Sequence, residues 1–205
     1  MKSSYEKPDF WSQKAKKEGY PARSVYKLAE IDTKFHIVGG ASRVLDIGAA
    51  PGSWSLWLLR KLAGKGFIAA VDVQGLSMEM DFDNFHFIKG DLYDPAVRGE
   101  LQALGPYNLV LSDAAPATTG SRIVDQGASE SIVEAVMDYA FACLAPGGAF
   151  VAKIFQGGSE KALLDALRKR FASARGFKPE ACRSESFETY LVATGFRGPA
   201  NSAQV

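Results

Sequence analysis

Two cysteines in 205 residues, Cys143 and Cys182, are too few for a disulfide frame, and neither has a partner at metal-ligand spacing. Their apolar or mixed surroundings predict buried thiols in a reducing compartment, so the expected location is cytoplasmic and no metal is expected. No apolar run approaches the roughly 20 residues of a membrane-spanning helix. The opening stretch, MKSSYEKPDFWSQKAKKEGY, holds no apolar segment of the kind a secretory signal needs. Internal repeats, low-complexity tracts and a second domain are also missing, and the length suits one well-buried domain. The GxGxxG signature of dinucleotide-binding loops does not occur.

Net charge is scarce as well, at +1, but it is unevenly placed. Up to Arg43 there are nine basic and five acidic residues, +4 in that segment against −3 for the remainder. A basic N-terminal face on a nearly neutral body fits a footprint for phosphates. A solvated helix would look the same on charge alone. Residues 1–20 read as a polar, partly ordered extension, 21–196 as the single domain and 197–205 as a tail without a motif.

Within the domain, apolar runs alternate with helical spacings. Val25, Leu28, Ile31 and Phe35 mark a helix over 24–36 with Ser24 as its N-cap, and Gly39-Gly40 breaks the chain. Strands are predicted at 43–47, 66–73, 85–89, 107–112 and 149–155, and two final ones at 177–183 and 189–194. Helices are predicted at 54–62, 95–104, 129–144 and 160–171. Near-continuous apolar strands alternating with helices signal a mostly parallel sheet covered on both faces, an α/β fold. The last two strands lack a helix between them, so one is expected to run antiparallel at an edge.

In such sheets ligands bind beyond the carboxyl ends of the strands. The loop after the first strand reads Asp46-Ile47-Gly48-Ala49-Ala50-Pro51-Gly52-Ser53-Trp54. Its small residues let the backbone approach a ligand, and the next helix offers free N–H groups. Pro51 crowds the place a pyrophosphate would take, which disfavours a dinucleotide. Asp72 ends the second strand and suits the hydroxyls of a ribose; Asp91 follows the third and suits an exocyclic amine. One such Asp usually caps a turn; three at successive strand ends around a Gly-rich loop point to a nucleoside. A nucleoside without phosphates points to S-adenosylmethionine.

The stretch VLDIGAAPGSWS resembles the cofactor loop of the FtsJ/RrmJ family of RNA 2′-O-ribose methyltransferases. The likeness continues through ARSVYKLAEID, LVLSDAAP, FVAKIFQGG and ETYLVATG, in order and at matching spacing over nearly the whole chain. Ser53 stands where the family often has a second glycine. The resemblance implies a Rossmann-like, seven-stranded methyltransferase fold using S-adenosylmethionine. It implies a Lys-Asp-Lys-Glu tetrad at Lys27, Asp113, Lys153 and Glu188, with Asp113 also facing the cofactor. For the short bacterial members it implies a uridine in the A-loop of 23S large-subunit rRNA, reached as rRNA or as the assembled large subunit.

The chemistry gives such a set a purpose. A ribose 2′-hydroxyl must lose its proton as the methyl arrives, and a Lys can accept it only if its pKa falls from the usual ~10.4. Burial and a neighbouring cation lower that value, whereas carboxylates raise it. Lys153, inside the apolar run FVAKIF, is the expected base. Lys27 would polarise the oxygen, while Asp113 and Glu188 orient the amines. Lys14, Lys16, Lys17 and Arg23 are expected to hold phosphates, and Tyr20 and Tyr26 to offer faces for a splayed base. Residues 117–126 are expected to form a mobile polar lip. Competing readings are a tRNA ribose methyltransferase, a non-catalytic RNA- or S-adenosylmethionine-binding protein and a small-molecule methyltransferase. The tetrad disfavours the second; the lack of a lid segment disfavours the third. No helix carries a spare apolar stripe, which predicts a monomer.

Overall fold

The computed structural model describes residues 10–39, 42–183 and 186–198. The first nine residues of the basic stretch, Gly40 of the expected Gly-Gly break and tail residues 199–205 lie outside the described residues.

Helix α1 (Phe10–Lys17) and helix α2 (Val25–Phe35) precede an alternation of strands and helices. These are β1 (Arg43–Ile47), α3 (Ser53–Leu62), β2 (Phe67–Asp72), β3 (Phe85–Lys89), α4 (Pro95–Ala103), β4 (Tyr107–Ser112), α5 (Arg122–Cys143), β5 (Leu144–Phe155), α6 (Glu160–Arg170), β6 (Phe171–Phe177) and β7 (Glu188–Phe196). The strands form one sheet in the order β3-β2-β1-β4-β5-β7-β6. Strand β7 runs antiparallel to both of its neighbours, β5 and β6, and so opposite to the other described strands.

Each strand supplies both faces because side chains alternate across the pleat. Leu45, Ile47 and Val110 join Val133, Val136 and Met137 of α5 and Leu163 and Leu167 of α6 in one core. Val44, Leu109 and Leu111 join Leu28 and Ile31 of α2 and Leu58, Leu59 and Leu62 of α3 in the other. Double-sided burial explains why these strands read as solid apolar runs. Among the described residues no helix is long and apolar enough to cross a membrane.

Four local readings need correction. Ser24 is not a side-chain cap: its backbone is helical (φ −57°, ψ −22°), and its carbonyl accepts from Trp54 Nε1 at 2.8 Å. Helix α5 starts seven residues earlier than expected, at Arg122. Asp125 explains this by accepting from the Thr119 backbone N–H (2.7 Å) and hydroxyl (2.8 Å), which also pins the end of the supposed mobile lip. The antiparallel strand is interior, with β6 outside it at the edge. Finally, β6 spans Phe171–Phe177 rather than 177–183. Ala181 and Cys182 are buried not by strand pairing but against the α2 side, where Glu30 accepts from the Glu180 and Ala181 N–H groups at 2.6 and 2.9 Å.

Candidate active site

Strand order reverses at β1 and β4, and a crevice of about 340 Å³ opens there beyond the strand ends. Its volume lies in the range of small-ligand sites. Gly48 and Ala50 come from the loop after β1, Asp72 and Gln74 follow β2, and Asp91, Leu92 and Tyr93 follow β3. Asp113 and Ala114 follow β4, and Ile132, Ala135 and Val136 of α5 supply an apolar wall. Gly48 has φ +75°, and a Cβ there would lie 2.7 Å from the Ala114 backbone, so only glycine keeps this floor open.

The carboxylates differ in setting. Asp72 is held at both oxygens, Oδ2 accepting from Ala50 N–H (2.9 Å) and Oδ1 from Gln74 N–H (2.8 Å). Asp91 Oδ1 accepts from Tyr93 N–H at 2.9 Å, and the residue is exposed at the rim. Asp46 does not line the crevice. It lies fully buried beneath it, Oδ2 accepting from Ser55 Oγ at 2.7 Å while Oδ1 finds no partner among the described residues. Burial pushes its carboxyl up to about 7, with Asp113 and Asp72 adding to the rise and Ser55 opposing it.

Pro51, Gly52, Ser53 and Trp54 also lie outside the crevice lining. Gly52, at φ +113°, begins α3 in a left-handed conformation. Ser53 Oγ accepts from Ala22 N–H at 2.7 Å, and Trp54 reaches the Ser24 carbonyl. Their side chains therefore fasten the segment leading into α2 onto α3.

The four tetrad residues meet as two ion pairs. Lys27 Nζ lies 2.6 Å from Glu188 Oε1, and Lys153 Nζ lies 3.0 Å from Asp113 Oδ1. All four side chains are between 11% and 17% exposed, open enough for a substrate and shielded enough for strong pairing. Lys153 Nζ also donates to the Asp113 carbonyl at 2.6 Å. Asp113 belongs to both the pair and the crevice lining. Lys27 and Glu188 border a second cavity of about 440 Å³ with Arg23, Arg183 and Ser186. The crevice and a basic cavity thus meet across the tetrad.

Sequence reasoning missed two features. Tyr190 is fully buried, and its hydroxyl donates to Asp113 Oδ1 at 2.8 Å. The period-two alternation of β7 places it on the face of Glu188, so a signal was present. The apolar wall from α5 had no local signal, since only topology brings that helix over the strand ends.

The expected RNA contacts divide. Lys16 and Lys17 are exposed on α1. Lys14 Nζ lies 5.4 and 4.6 Å from the Trp11 and Tyr26 ring centroids. Tyr26 is core: it is buried, its hydroxyl donates to Glu18 at 2.9 Å, and its ring packs on Trp11, so it presents no open face to a base. Tyr20 is half-buried, under the Arg60 guanidinium. Arg23 donates to the Ala181 carbonyl.

A nucleoside-sized crevice at the switch point of this sheet, bordered by paired lysines and carboxylates, defines the class: a Rossmann-like enzyme of the S-adenosylmethionine-dependent methyltransferase fold. The family model described as FtsJ-like methyltransferase matches residues 20–196. A Treponema denticola protein named Ribosomal RNA large subunit methyltransferase E is 49% identical, covering 96% of this chain and 99% of its own. A Nitratidesulfovibrio vulgaris protein of the same name is 45% identical over 93% of this chain and 95% of its own. Among solved structures, a Plasmodium falciparum protein designated a ribosomal RNA methyltransferase superposes with TM-score 0.77 at 26% identity, covering 87% of this chain and all of that one. Human Methyltransferase-like protein 13 in complex with SAH shares the fold, with TM-score 0.60 at 17% identity, 87% of this chain and 83% of that one. The chain belongs to the FtsJ-like methyltransferases.

Proposed function

We propose that this enzyme methylates a ribose 2′-hydroxyl of large-subunit rRNA, at a uridine of the A-loop, with S-adenosylmethionine as donor. The carrying observation is the placement of Lys153 beside Asp113, a residue that also lines the crevice. The names of the relatives support the ribosomal target, and the quoted motifs support the 2′-oxygen.

The crevice suits the donor. Asp72, with both oxygens fixed, presents its remaining lone pairs to two vicinal hydroxyls, and Asp91 accepts from an exocyclic amine. Leu92, Ile132 and Val136 supply apolar surface for a base. Gly48 leaves the floor open, and Asp46 offers an unpaired buried oxygen beneath it. The proposed donor contacts thus centre on Gly48, Asp72, Asp91 and Asp113. Gly52, Ser53 and Trp54 act through the helix they begin.

When bound, the donor supplies an electrophilic methyl carbon on a sulfonium. Lys27 and Lys153 then hold the incoming 2′-oxygen between two amines. Lys153 Nζ, as free amine, would take the hydroxyl proton as the oxygen–methyl bond forms and the donor's methyl–sulfur bond breaks to leave a neutral thioether, and Lys153 would remain as ammonium paired with Asp113. Glu188 keeps Lys27 charged and aimed. Arg23 and Arg183 line the cavity beside Lys27, and Lys16 and Lys17 add exposed positive charge on α1.

The test is transfer of labelled methyl to free large-subunit rRNA, tRNA and isolated large subunits. Label is expected on large-subunit RNA at a linkage resistant to alkali, because alkaline cleavage needs a free 2′-hydroxyl. Label on a base or on protein overturns the 2′-oxygen; label on tRNA alone overturns the rRNA target.

A further inference from the structure

The two ion pairs pose a difficulty for any lysine that is to act as a base. Lys153 Nζ faces Asp113 Oδ1 at 3.0 Å and the Asp113 carbonyl at 2.6 Å, and acceptors favour the ammonium. Something in the site has to weaken that hold. The groups gathered there are Asp113 after β4, Glu188 and Tyr190 on β7, Lys27 on α2, Cys182 beside Glu188, and Asp46 beneath Asp113. One of them bonds to the oxygen that faces Lys153. The Tyr190 hydroxyl donates to Asp113 Oδ1 at 2.8 Å.

We propose that Tyr190 is a positioning residue for methyl transfer: its hydrogen bond fixes the Asp113 carboxylate beside Lys153 and draws off part of that carboxylate's charge, which favours the free amine. The proposal rests on the 2′-O-methylation reading above. Three observations support it. First, Tyr190 stands directly opposite Lys153 in the β5–β7 register, where side chains on paired antiparallel strands lie closest. Second, the phenol is fully buried and its ring packs 5.9 Å from the Trp54 ring, so the hydroxyl cannot swing to another acceptor. Third, burial and the neighbouring Asp113 and Glu188 carboxylates hold the phenol well above its ordinary range, so it stays a neutral donor throughout the working pH. A neutral donor shares the carboxylate without adding a competing charge. A second lysine in that place would bind Asp113 more strongly but would carry a full charge into the site.

The decisive comparison is between Tyr190→Phe and replacement of Tyr190 by 3-fluorotyrosine. The first removes the donor, and the second makes it more acidic and so a stronger donor. Two readouts are taken. One is the pH titration of the Lys153 side chain by NMR on lysine-labelled protein, its signal assigned from Lys153→Arg. The other is the pH dependence of methyl transfer to large-subunit RNA. For Tyr190→Phe the titration midpoint and the rising limb of the rate profile are expected to move to higher pH by about half a unit to one unit. Turnover at neutral pH then falls about three- to tenfold, with the KM for RNA unchanged. The fluorinated residue is expected to move both midpoints the other way.

A purely structural tyrosine cannot give shifts of opposite sign. Midpoints that stay in place in both variants, or that move in the same direction, overturn the proposal, as does a loss of rate that is equal at every pH. If the Phe variant does not fold, the fluorinated one decides alone, since it keeps ring and hydroxyl. The NMR titration needs no substrate, so failure of the 2′-O reading appears separately, as wild-type protein that leaves the ribose oxygen unlabelled.

Discussion

In the proposed mechanism the chemistry turns on Lys153. Arginine keeps the positive charge and the pairing with Asp113 but cannot give up a proton usefully. Lys153→Arg is therefore expected to lower turnover at least about a hundredfold while leaving donor binding intact, measured by single-turnover methyl transfer and by calorimetry. Asp46 carries a different prediction. Its folded-state carboxyl is raised to about 7, so the folded protein binds that proton more tightly than the unfolded chain does. Stability from the neutral group is complete below about pH 4 and is lost as pH climbs through about 7, a change on the order of a few kcal/mol. The melting temperature of the wild type should fall across that window, and Asp46→Asn should flatten the fall. Gly48→Ala forces an L-residue to φ +75° against the Ala114 backbone. It is expected to cost at least about 2 kcal/mol in urea unfolding and to close the crevice to the donor.

At the scale of elements, α2 matters because it carries Lys27. Glu30, one turn further along, accepts two backbone N–H groups from residues 180 and 181. Glu30→Ala leaves both donors without their acceptor, the one on buried Ala181 out of reach of water, and loosens the helix; about 1–3 kcal/mol of stability and a raised KM for RNA are expected, read by thermal melts and by steady-state kinetics. The same scale decides how much the sequence could reveal. Strands β1, β2 and β4 were legible because burial on both faces writes an unbroken apolar run. The pairing of Lys27 with Glu188 and of Lys153 with Asp113 was foreshadowed by motifs shared with a known family, and the crevice positions of Asp72 and Asp91 by their places at the ends of β2 and β3. The early start of α5 was not, since Asp125 and Thr119 create it by a contact that no apolar period encodes. Strand β6 was misplaced because an edge strand such as FASARGF needs little apolar surface. The buried pair Ala181-Cys182, covered by α2 rather than by a strand, imitated one. The cofactor loop was read as a single unit, yet only its first part faces the crevice while Ser53 and Trp54 face the N-terminal segment.

Across the whole molecule the charge is polarised, positive up to Arg43 and slightly negative beyond it. Binding to RNA should accordingly depend on salt. If three or four phosphates are contacted, affinity is expected to drop about tenfold to a hundredfold between 50 and 200 mM salt. Lys16→Ala and Lys17→Ala should each reduce the slope by about one without altering which RNA is chosen, as read in filter-binding titrations.

The indole of Trp54 joins the two halves of this polarity. It begins the helix behind the donor crevice, bonds the Ser24 carbonyl three residues ahead of Lys27, and stacks toward Tyr190. An occupant that settles α3 settles the entry to α2 as well. If the crevice takes the donor and the α2 side takes RNA, the two sites share this contact, and any coupling free energy between them is reciprocal, each ligand changing the affinity for the other by the same factor.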